Sequence, residues 1–416
     1  MTSLPLWTKE LLVLASLAAL VLLWLVREAI LLRRAHQAVP IRVHVNGTRG
    51  KSSVTRLIAA GLRAGGIRTT AKTTGTLPRF ILPDGKEDPI LRAGRANIGE
   101  QVSILRRAAE ERSEALVIEC MALQPFLQWV STARIVRPTI GVITNIREDH
   151  LDVMGPDATG VAQALLSSVP PGGRLITAEP RFQPLIAEVL SDRGATGRVV
   201  RPETAEEPVT ERELRRFRYI EHAENVQLAL AVCEELGVPR RTALIGMQRA
   251  RPDPGALTIE YVRFEGREFV FVNGFAANDP ESTGQVWELA LARTDSGVRR
   301  VALINCREDR ADRSTQLGDA VARWTPADAY LVVGTGRSFF THRALAAGIP
   351  EEAIISSSSH TPVELARELS ALAGPHGVAV GIGNIGGIGL ELIAKLREEP
   401  KGSWSSFQSR SASASL

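Results

Sequence analysis

Val43-His44-Val45-Asn46-Gly47-Thr48-Arg49-Gly50-Lys51-Ser52-Ser53 is an apolar, β-branched run that feeds a glycine-bearing turn and then opens into helix-like sequence. Such a stretch reads as a phosphate cradle. Small residues let successive backbone N–H groups point at a polyphosphate, a lysine reaches the β- and γ-phosphates, and the next hydroxyl reaches Mg²⁺. Here those roles fall to Gly50, Lys51 and Ser52, with Asn46, Gly47, Thr48, Arg49 and Ser53 completing the loop. The long form of the motif places a glycine five residues before Gly50, where this chain has Val45; its other glycine is Gly47. The strand, loop and helix context favours nucleotide binding over an ordinary turn carrying a surface lysine.

At 416 residues the chain exceeds what one core organises, so at least two domains are expected. The net charge of +4 is small for this length and demands no nucleic acid, while it suits anionic small molecules or an anionic membrane surface. Three cysteines, Cys120, Cys233 and Cys306, have neither metal-like nor disulfide-like spacing and read as buried thiols in a reducing compartment.

From Leu11 to Val26 every residue is apolar or small, with Trp7 and Trp24 near the ends. That run covers only about 24 Å as a helix, so a membrane span would borrow from Leu4–Trp7 or reach past Arg27 by snorkelling. Arg33, Arg34 and His36 on its C-terminal side predict that side to be cytoplasmic. A cleaved secretory signal lacks its small-residue cleavage site before Arg33-Arg34.

Between Pro40 and about Met247, strand-like runs at Val43–Val45, Ala115–Ile118, Thr139–Ile143 and Arg174–Ile176 alternate with helix-like stretches at Ser53–Ala64, Gly99–Arg112 and Glu221–Leu236. Alternation of this kind implies an α/β domain with a mostly parallel, doubly wound sheet. Arg249-Ala-Arg-Pro-Asp-Pro-Gly255 is a punctuated break, after which a second alternating block begins. Its strands are expected near 259–264, 269–272, 301–304, 329–333 and 378–382, with helices near 283–293, 315–323 and 362–372. Beyond Pro400 the chain is Ser-rich and is expected to be disordered.

Several residues could bring chemistry to the phosphate loop. Glu119 ends the apolar run Leu116-Val-Ile, at the strand edge where open α/β sheets bind ligands, and a carboxylate there is a natural Mg²⁺ ligand. The next strand runs into Asn145-Ile-Arg-Glu-Asp149-His150-Leu-Asp152, whose His and carboxylates make a second metal or phosphate locus. Thr73, Thr74, Arg95 and Asn97 suit phosphate or carboxylate ligands, and turns or helix caps equally well. In the second block Arg307 and Arg310 follow a strand and could clamp a carboxylate or γ-phosphate, against the alternative of a solvated turn with internal ion pairs. Asn278 and Asp279 are a weaker pair at another strand end.

GTRGKS at 47–52, the strand-end Glu119, TNIREDHLD at 144–152 and Asn225 in HAENVQLALA together resemble the ATP-binding central domain of the Mur ligase superfamily. Within it the chain is most similar to the ligase subunits of poly-γ-glutamate synthases. That narrower likeness rests on the N-terminal apolar segment, KTTGTLPR at 72–79, RANIGEQ at 95–101, the PDPG break and FAANDPEST at 275–283, and so covers nearly the whole chain.

The resemblance implies a membrane anchor helix (1–36), an ATP-binding Mur-like central domain (37–250), a smaller Rossmann-like C-terminal α/β domain (251–400) and a tail (401–416). It implies ATP-dependent amide bond formation. ATP phosphorylates the γ-carboxylate of a glutamate or growing chain, and the amine of another glutamate attacks the acyl phosphate. Lys51 would hold β/γ-phosphate, Ser52 and Glu119 one Mg²⁺, and His150 a second. Asn145 and Asp149 would support them, and Asn225 would contact adenine. The implied partners are glutamate, the poly-γ-glutamate chain and integral-membrane subunits, with homo-oligomerisation left open. Folylpolyglutamate-type or other Mur-like ligation, or a membrane-tethered ATPase without ligase activity, are the alternatives.

One departure concerns the carbamylated lysine that many Mur ligases carry about fifteen residues beyond the motif histidine. Here that helix reads Val161-Ala-Gln-Ala-Leu-Leu, and no lysine lies between Lys86 and Lys395. A rival motif, Gly381-Ile-Gly383-Asn-Ile-Gly386, fits a dinucleotide fingerprint and would point to an oxidoreductase or NAD sensor. The acidic residue this fingerprint needs would fall in the Ser-rich tail, so glycines for close packing are the simpler reading.

Overall fold

The computed structural model describes residues 6–398, apart from positions 76, 93, 95, 202–204, 218, 220, 253–256, 276, 278, 293 and 295–296, with side chains described from residue 10. The expected tail at 401–416 lies outside the described residues, as do Arg95 and Asn278. The described residues fall into two compact units, one drawn from 1–217 and 222–251, the other from 218–221 and 252–416.

The first unit opens with α1 (Leu6–Ala38), followed by β1 (Ile41–Asn46), α2 (Lys51–Ala64), β2 (Thr69–Thr73), β3 (Arg79–Ile81), β4 (Glu87–Pro89), α3 (Glu100–Glu110) and β5 (Ala115–Glu119). After α4 (Pro125–Val130) and a π-helical turn (Ser131–Val136) come β6 (Ile140–Ile143), α5 (Leu151–Met154), α6 (Ala158–Leu166), β7 (Arg174–Thr177), α7 (Gln183–Asp192), β8 (Thr196–Val199), α8 (Glu211–Leu214), α9 (Ala223–Glu235) and α10 (Arg240–Gln248). The strands form one sheet in the order β4-β3-β2-β5-β1-β6-β7-β8. From β2 to β8 the pairing is parallel. β3 and β4 join antiparallel at one edge. Val43, Val45, Leu116, Val117, Ile118, Val142 and Ile143 are buried, as expected where helices cover both faces of a parallel sheet.

α1 is long and apolar enough to cross a membrane, and its large apolar side chains from Leu11 to Val26 are exposed. Beyond Arg27 the helix belongs to the globular unit. Glu28 pairs with Arg106 on α3, His36 Nε2 lies 2.8 Å from the Ile135 carbonyl, and Ala35 and Val39 are buried with Phe80, Ile104 and Leu105. The apolar run before Glu28 is thus free of the unit, while Glu28, Ala35 and His36 tie the end of the helix to it.

β2 is a strand that the sequence pattern did not announce. Thr69-Thr-Ala-Lys-Thr73 is polar, yet all five residues are buried. Lys72 is fully buried, and its Nζ lies 2.9 Å from Glu100 Oε1. A buried ammonium is tolerated because the carboxylate meets it there.

The second unit comprises β9 (Thr258–Phe264), β10 (Arg267–Asn273), α11 (Pro280–Ala292), β11 (Arg300–Cys306), α12 (Ala311–Ala320), β12 (Ala329–Gly334), α13 (Arg337–Ala346), β13 (Ile354–Ser356), α14 (Pro362–Ala373), β14 (Val378–Gly383) and α15 (Ile388–Glu398). Its sheet runs β13-β12-β11-β14-β10-β9, parallel except for the β9–β10 hairpin. Glu265 and Gly266 turn that hairpin with φ of 46° and 80°, the signs a two-residue type I′ turn requires.

His44, in the central strand β1, is buried, with Nδ1 3.1 Å from Thr132 Oγ1. Burial, aided by the Lys72 charge, pushes its pKa down to about 3. Between pH 6.5 and about 3 the unfolded chain therefore binds a proton that the folded chain refuses. Its stabilising effect is complete above pH 6.5 and is lost as pH falls, by at most about 1.4 kcal/mol per pH unit. Thermal melts across this range should show that slope, and His44→Gln should flatten it.

Candidate active site

The phosphate loop bridges β1 and α2. Val45, at the position of the long motif's first glycine, lies inside β1, buried and in register with Glu119 and Val142. Gly47 and Gly50 have φ of 132° and 78°. A Cβ at Gly47 would stand 2.1 Å from Thr144 Oγ1, and one at Gly50 would stand 2.8 Å from Asn225 Oδ1. The short glycine spacing thus answers two specific neighbours, one on the loop after β6 and one on α9.

The loop after β6 braces the phosphate loop. The Thr48 N–H donates to the Asn145 carbonyl at 3.0 Å, and the Arg147 N–H donates to Thr48 Oγ1 at 2.8 Å. Asn145 Oδ1 accepts from the Arg49 N–H at 3.0 Å while its Nδ2 donates to the Arg49 carbonyl at 3.2 Å. Thr144 Oγ1 donates to the same carbonyl at 2.6 Å. Arg49 also faces Asp149 at 3.7 Å. Asn145 is thereby occupied with the loop's backbone. Asn46 is likewise taken up: its Nδ2 donates to Gln128 and Ser168 at 2.7 and 3.0 Å, and its Oδ1 accepts from the Gly47 N–H. Gln128 and Ser168 are supports that no local pattern in the sequence marks, whereas Thr144 opens the TNIREDHLD run.

Lys51 is the first residue of α2, whose N-terminus has no side-chain cap, leaving the orphan N–H groups of a helix start at the loop. Its Nζ donates to the Gly47 and Thr48 carbonyls at 2.7 and 3.1 Å. One residue on, Ser52 Oγ donates to Glu119 Oε2 at 2.8 Å, and the Thr74 N–H donates to that same oxygen at 2.7 Å. Glu119, 3% exposed at the end of β5, draws the phosphate-loop hydroxyl and the end of β2 together. Ser53 follows them, half-buried, on α2.

Among the described residues no hydrogen bond or ion pair joins His150 to Ser52 or Glu119. His150 caps the short α5 with φ 50°, is 44% exposed, and has Asp149 3.9 Å from its Nε2. Among the described residues no group of three or more His, Cys, Asp or Glu side chains is arranged to hold a metal. Thr73 is buried, and its hydroxyl has no hydrogen-bond partner among the described residues. Asn97 Oδ1 accepts from the Gly99 N–H at 2.8 Å, a local turn before α3.

A cavity of about 210 Å³ opens beside the loop. Asn46, Gly47, Lys51, Thr74 and Arg92 supply its polar lining, with Met121 and Met154 among its apolar walls. Arg92 was not marked by the sequence pattern.

In the second unit the loops after β11 and β14 meet. Asn305 Nδ2 donates to the Gly386 carbonyl at 3.0 Å, and Arg313 donates to Asn384 Oδ1 at 3.0 Å. A Cβ at Gly381 would lie 2.6 Å from the Phe275 ring and one at Gly383 2.7 Å from the Asn305 carbonyl, so these glycines serve close packing, as the simpler reading of the Gly381–Gly386 run expects. Arg307 holds Asp309 through Nε and Nη2 at 2.9 and 2.8 Å, and Arg310 is exposed at the start of α12. Asp279 Oδ1 accepts from the Ser282 N–H at 2.8 Å at the start of α11.

Residues 45–178 match the Mur ligase middle domain, and residues 258–399 match the poly-gamma-glutamate synthase CapB C-terminal domain. PGA synthase CapB of Bacillus subtilis (strain 168) is 35% identical over 375 residues, spanning 89% of this chain and 94% of that protein. Capsule biosynthesis protein CapB of Bacillus anthracis is 36% identical over 376 residues, spanning 89% and 80%. The bifunctional folylpolyglutamate synthase/dihydrofolate synthase from Yersinia pestis, solved with AMPPNP and a Mn ion, shares the fold with a TM-score of 0.64 at 17% identity, over 88% of this chain and 93% of that one. A doubly wound Mur-like unit with Glu119 drawn onto its phosphate loop, followed by a smaller α/β unit, and sequence identity over nearly nine-tenths of its length together place this chain in the poly-γ-glutamate synthase CapB family of Mur ligases.

Proposed function

We propose that this ATP-dependent amide ligase joins glutamate units through γ-linkages. The observation that carries the chemistry is the convergence of Ser52 Oγ and the Thr74 N–H on Glu119 Oε2, one residue from the phosphate-binding Lys51. ATP transfers its γ-phosphoryl group to a γ-carboxylate oxygen, releasing ADP. The amine of a second glutamate then attacks the acyl carbon; the C–N bond forms, the C–O bond to phosphate breaks, and inorganic phosphate leaves with the amine's proton lost to solvent. Phosphoryl transfer asks for alignment and charge neutralisation more than covalent help. Lys51 supplies the charge, and the α2 N-terminus supplies oriented N–H groups.

The donors at Ser52 and Glu119 are hard oxygens, a set that suits Mg²⁺. Those two residues would hold it, with His150 as the further candidate, and it would neutralise phosphate charge when bound. The Yersinia pestis relative's AMPPNP and Mn ion support a nucleotide with a divalent cation. Asn225, beside Gly50, is assigned to the adenine side, and Arg307, Arg310 and Asp279 to substrate contacts of the second unit. The exposed apolar stretch of α1, followed by Arg33 and Arg34, supports a single-pass anchor with both units in the cytoplasm. A polymer made there would pass to integral-membrane partner subunits.

The test is the detergent-solubilised full chain with whatever membrane proteins co-purify. Glutamate-dependent ADP release with recovery of γ-linked polymer is expected. ADP release without polymer would make the chain an ATPase, and a preparation free of membrane partners would count against the export assembly.

A further inference from the structure

The cavity beside Lys51 has a second cationic residue whose setting is unusual. Arg92 donates through Nε and Nη2 to the two oxygens of Glu100 at 2.6 and 3.1 Å, and Glu100 Oε1 is also held by Lys72 Nζ at 2.9 Å. Two cations share this one carboxylate, and Glu119 acts on Lys72 from further off. Lys72 is fully buried and out of a ligand's reach, whereas Arg92 is 23% exposed on the cavity wall. Among the described residues its Nη1 takes no partner. No carboxylate lines the cavity, and its one thiol, Cys120, is kept neutral by burial, which pushes its pKa up to about 11. The space is therefore walled by apolar side chains and carries two cations, Lys51 and Arg92. That composition fits a ligand with two anionic groups, one of them at the phosphate loop.

Resting on the γ-ligase reading, we propose that Arg92 binds the free α-carboxylate of the glutamyl unit being activated. A glutamyl end offers ATP two carboxylates of similar chemistry. Capturing the α-carboxylate on a guanidinium held in place by Glu100 leaves the γ-carboxylate as the one presented to the phosphate loop. Arg92 is thus the residue that selects γ- over α-linkage. Lys72 and Glu100 position it: the buried ammonium fixes the carboxylate, and the carboxylate fixes the plane of the guanidinium.

The test uses the full chain in detergent with AMPPNP and Mg²⁺, and measures calorimetric binding of γ-glutamylglutamate and of γ-glutamylisoglutamine, whose terminal α-carboxylate is an amide. Wild type should bind the dipeptide roughly 10- to 100-fold more tightly than the amide, the range for one charge-assisted hydrogen-bonded pair. Arg92→Gln should bind both peptides equally and weakly, and Arg92→Lys should recover part of the preference. AMPPNP affinity should change less than about twofold in either variant, which a general collapse of the site would not allow. If Arg92→Gln keeps the preference, or if wild type binds both peptides equally, the Arg92 assignment falls while the ligase reading stands. If wild type binds AMPPNP but neither peptide, the γ-glutamyl ligase reading itself falls.

Discussion

Lys51→Ala should lower glutamate-dependent ADP release and γ-linked polymer formation by roughly 10²- to 10³-fold at saturating ATP, the cost of removing one donor aimed at developing phosphate charge. The loop itself should survive. Its path is held by backbone and side-chain bonds from Thr144, Asn145 and Arg147 and by the two glycines, none of which uses the lysine side chain. Among the described residues Lys51 Nζ meets the carbonyls of Gly47 and Thr48, on a half-buried residue where water can replace it. The melting temperature should therefore stay close to wild type while turnover collapses. Polymer yield equal to wild type in the variant would refute the mechanism.

The second large effect is on stability. Glu100→Ala removes the carboxylate that, among the described residues, makes the ion pair with the fully buried Lys72, leaving it the more distant charge of Glu119, and frees Arg92 as well. Deleting one partner of a buried pair costs about 3–5 kcal/mol, because the other charge is left without compensation. For a unit of this size that corresponds to a fall in melting temperature of roughly 6–20 °C. The double variant Glu100→Ala/Lys72→Met should recover most of the loss, since an apolar side chain of similar length needs no counter-ion. Calorimetric melts of the four proteins in the cycle measure the coupling directly. Equal losses in the single and double variants would mean that the ion pair is not what holds β2.

Much of the architecture could be read from local pattern. Buried parallel strands are nearly continuous apolar runs, so 43–45, 115–118, 139–143 and 174–176 announced β1, β5, β6 and β7, and the runs marked in the second block announced β9, β10, β11, β12 and β14, while the short strands β8 and β13 at the sheet edges were missed. Glu119 could be placed at a strand end because the apolar run before it stops there. The edge strands β3 and β4 were not anticipated, being only three residues each. Asn46 and Asn145 show the limit for site residues. Their types suit a nucleotide, but whether an amide faces a ligand or braces a backbone depends on neighbours such as Gln128 and Arg49, which the fold brings close.

The phosphate loop was determined by its own sequence. Gly47, Gly50, Lys51 and Ser52 carry backbone freedom, charge and a hydroxyl at fixed offsets, and a strand before and a helix after leave them little choice of arrangement. What only the tertiary structure decided is the wall opposite that chemistry. Thr69-Thr-Ala-Lys-Thr73 is too polar to declare itself a buried strand, and it becomes one because Glu100, 28 residues further on, meets Lys72 in the interior. Periodicity reports which residues avoid water; it cannot report a charge whose counter-ion lies in another element.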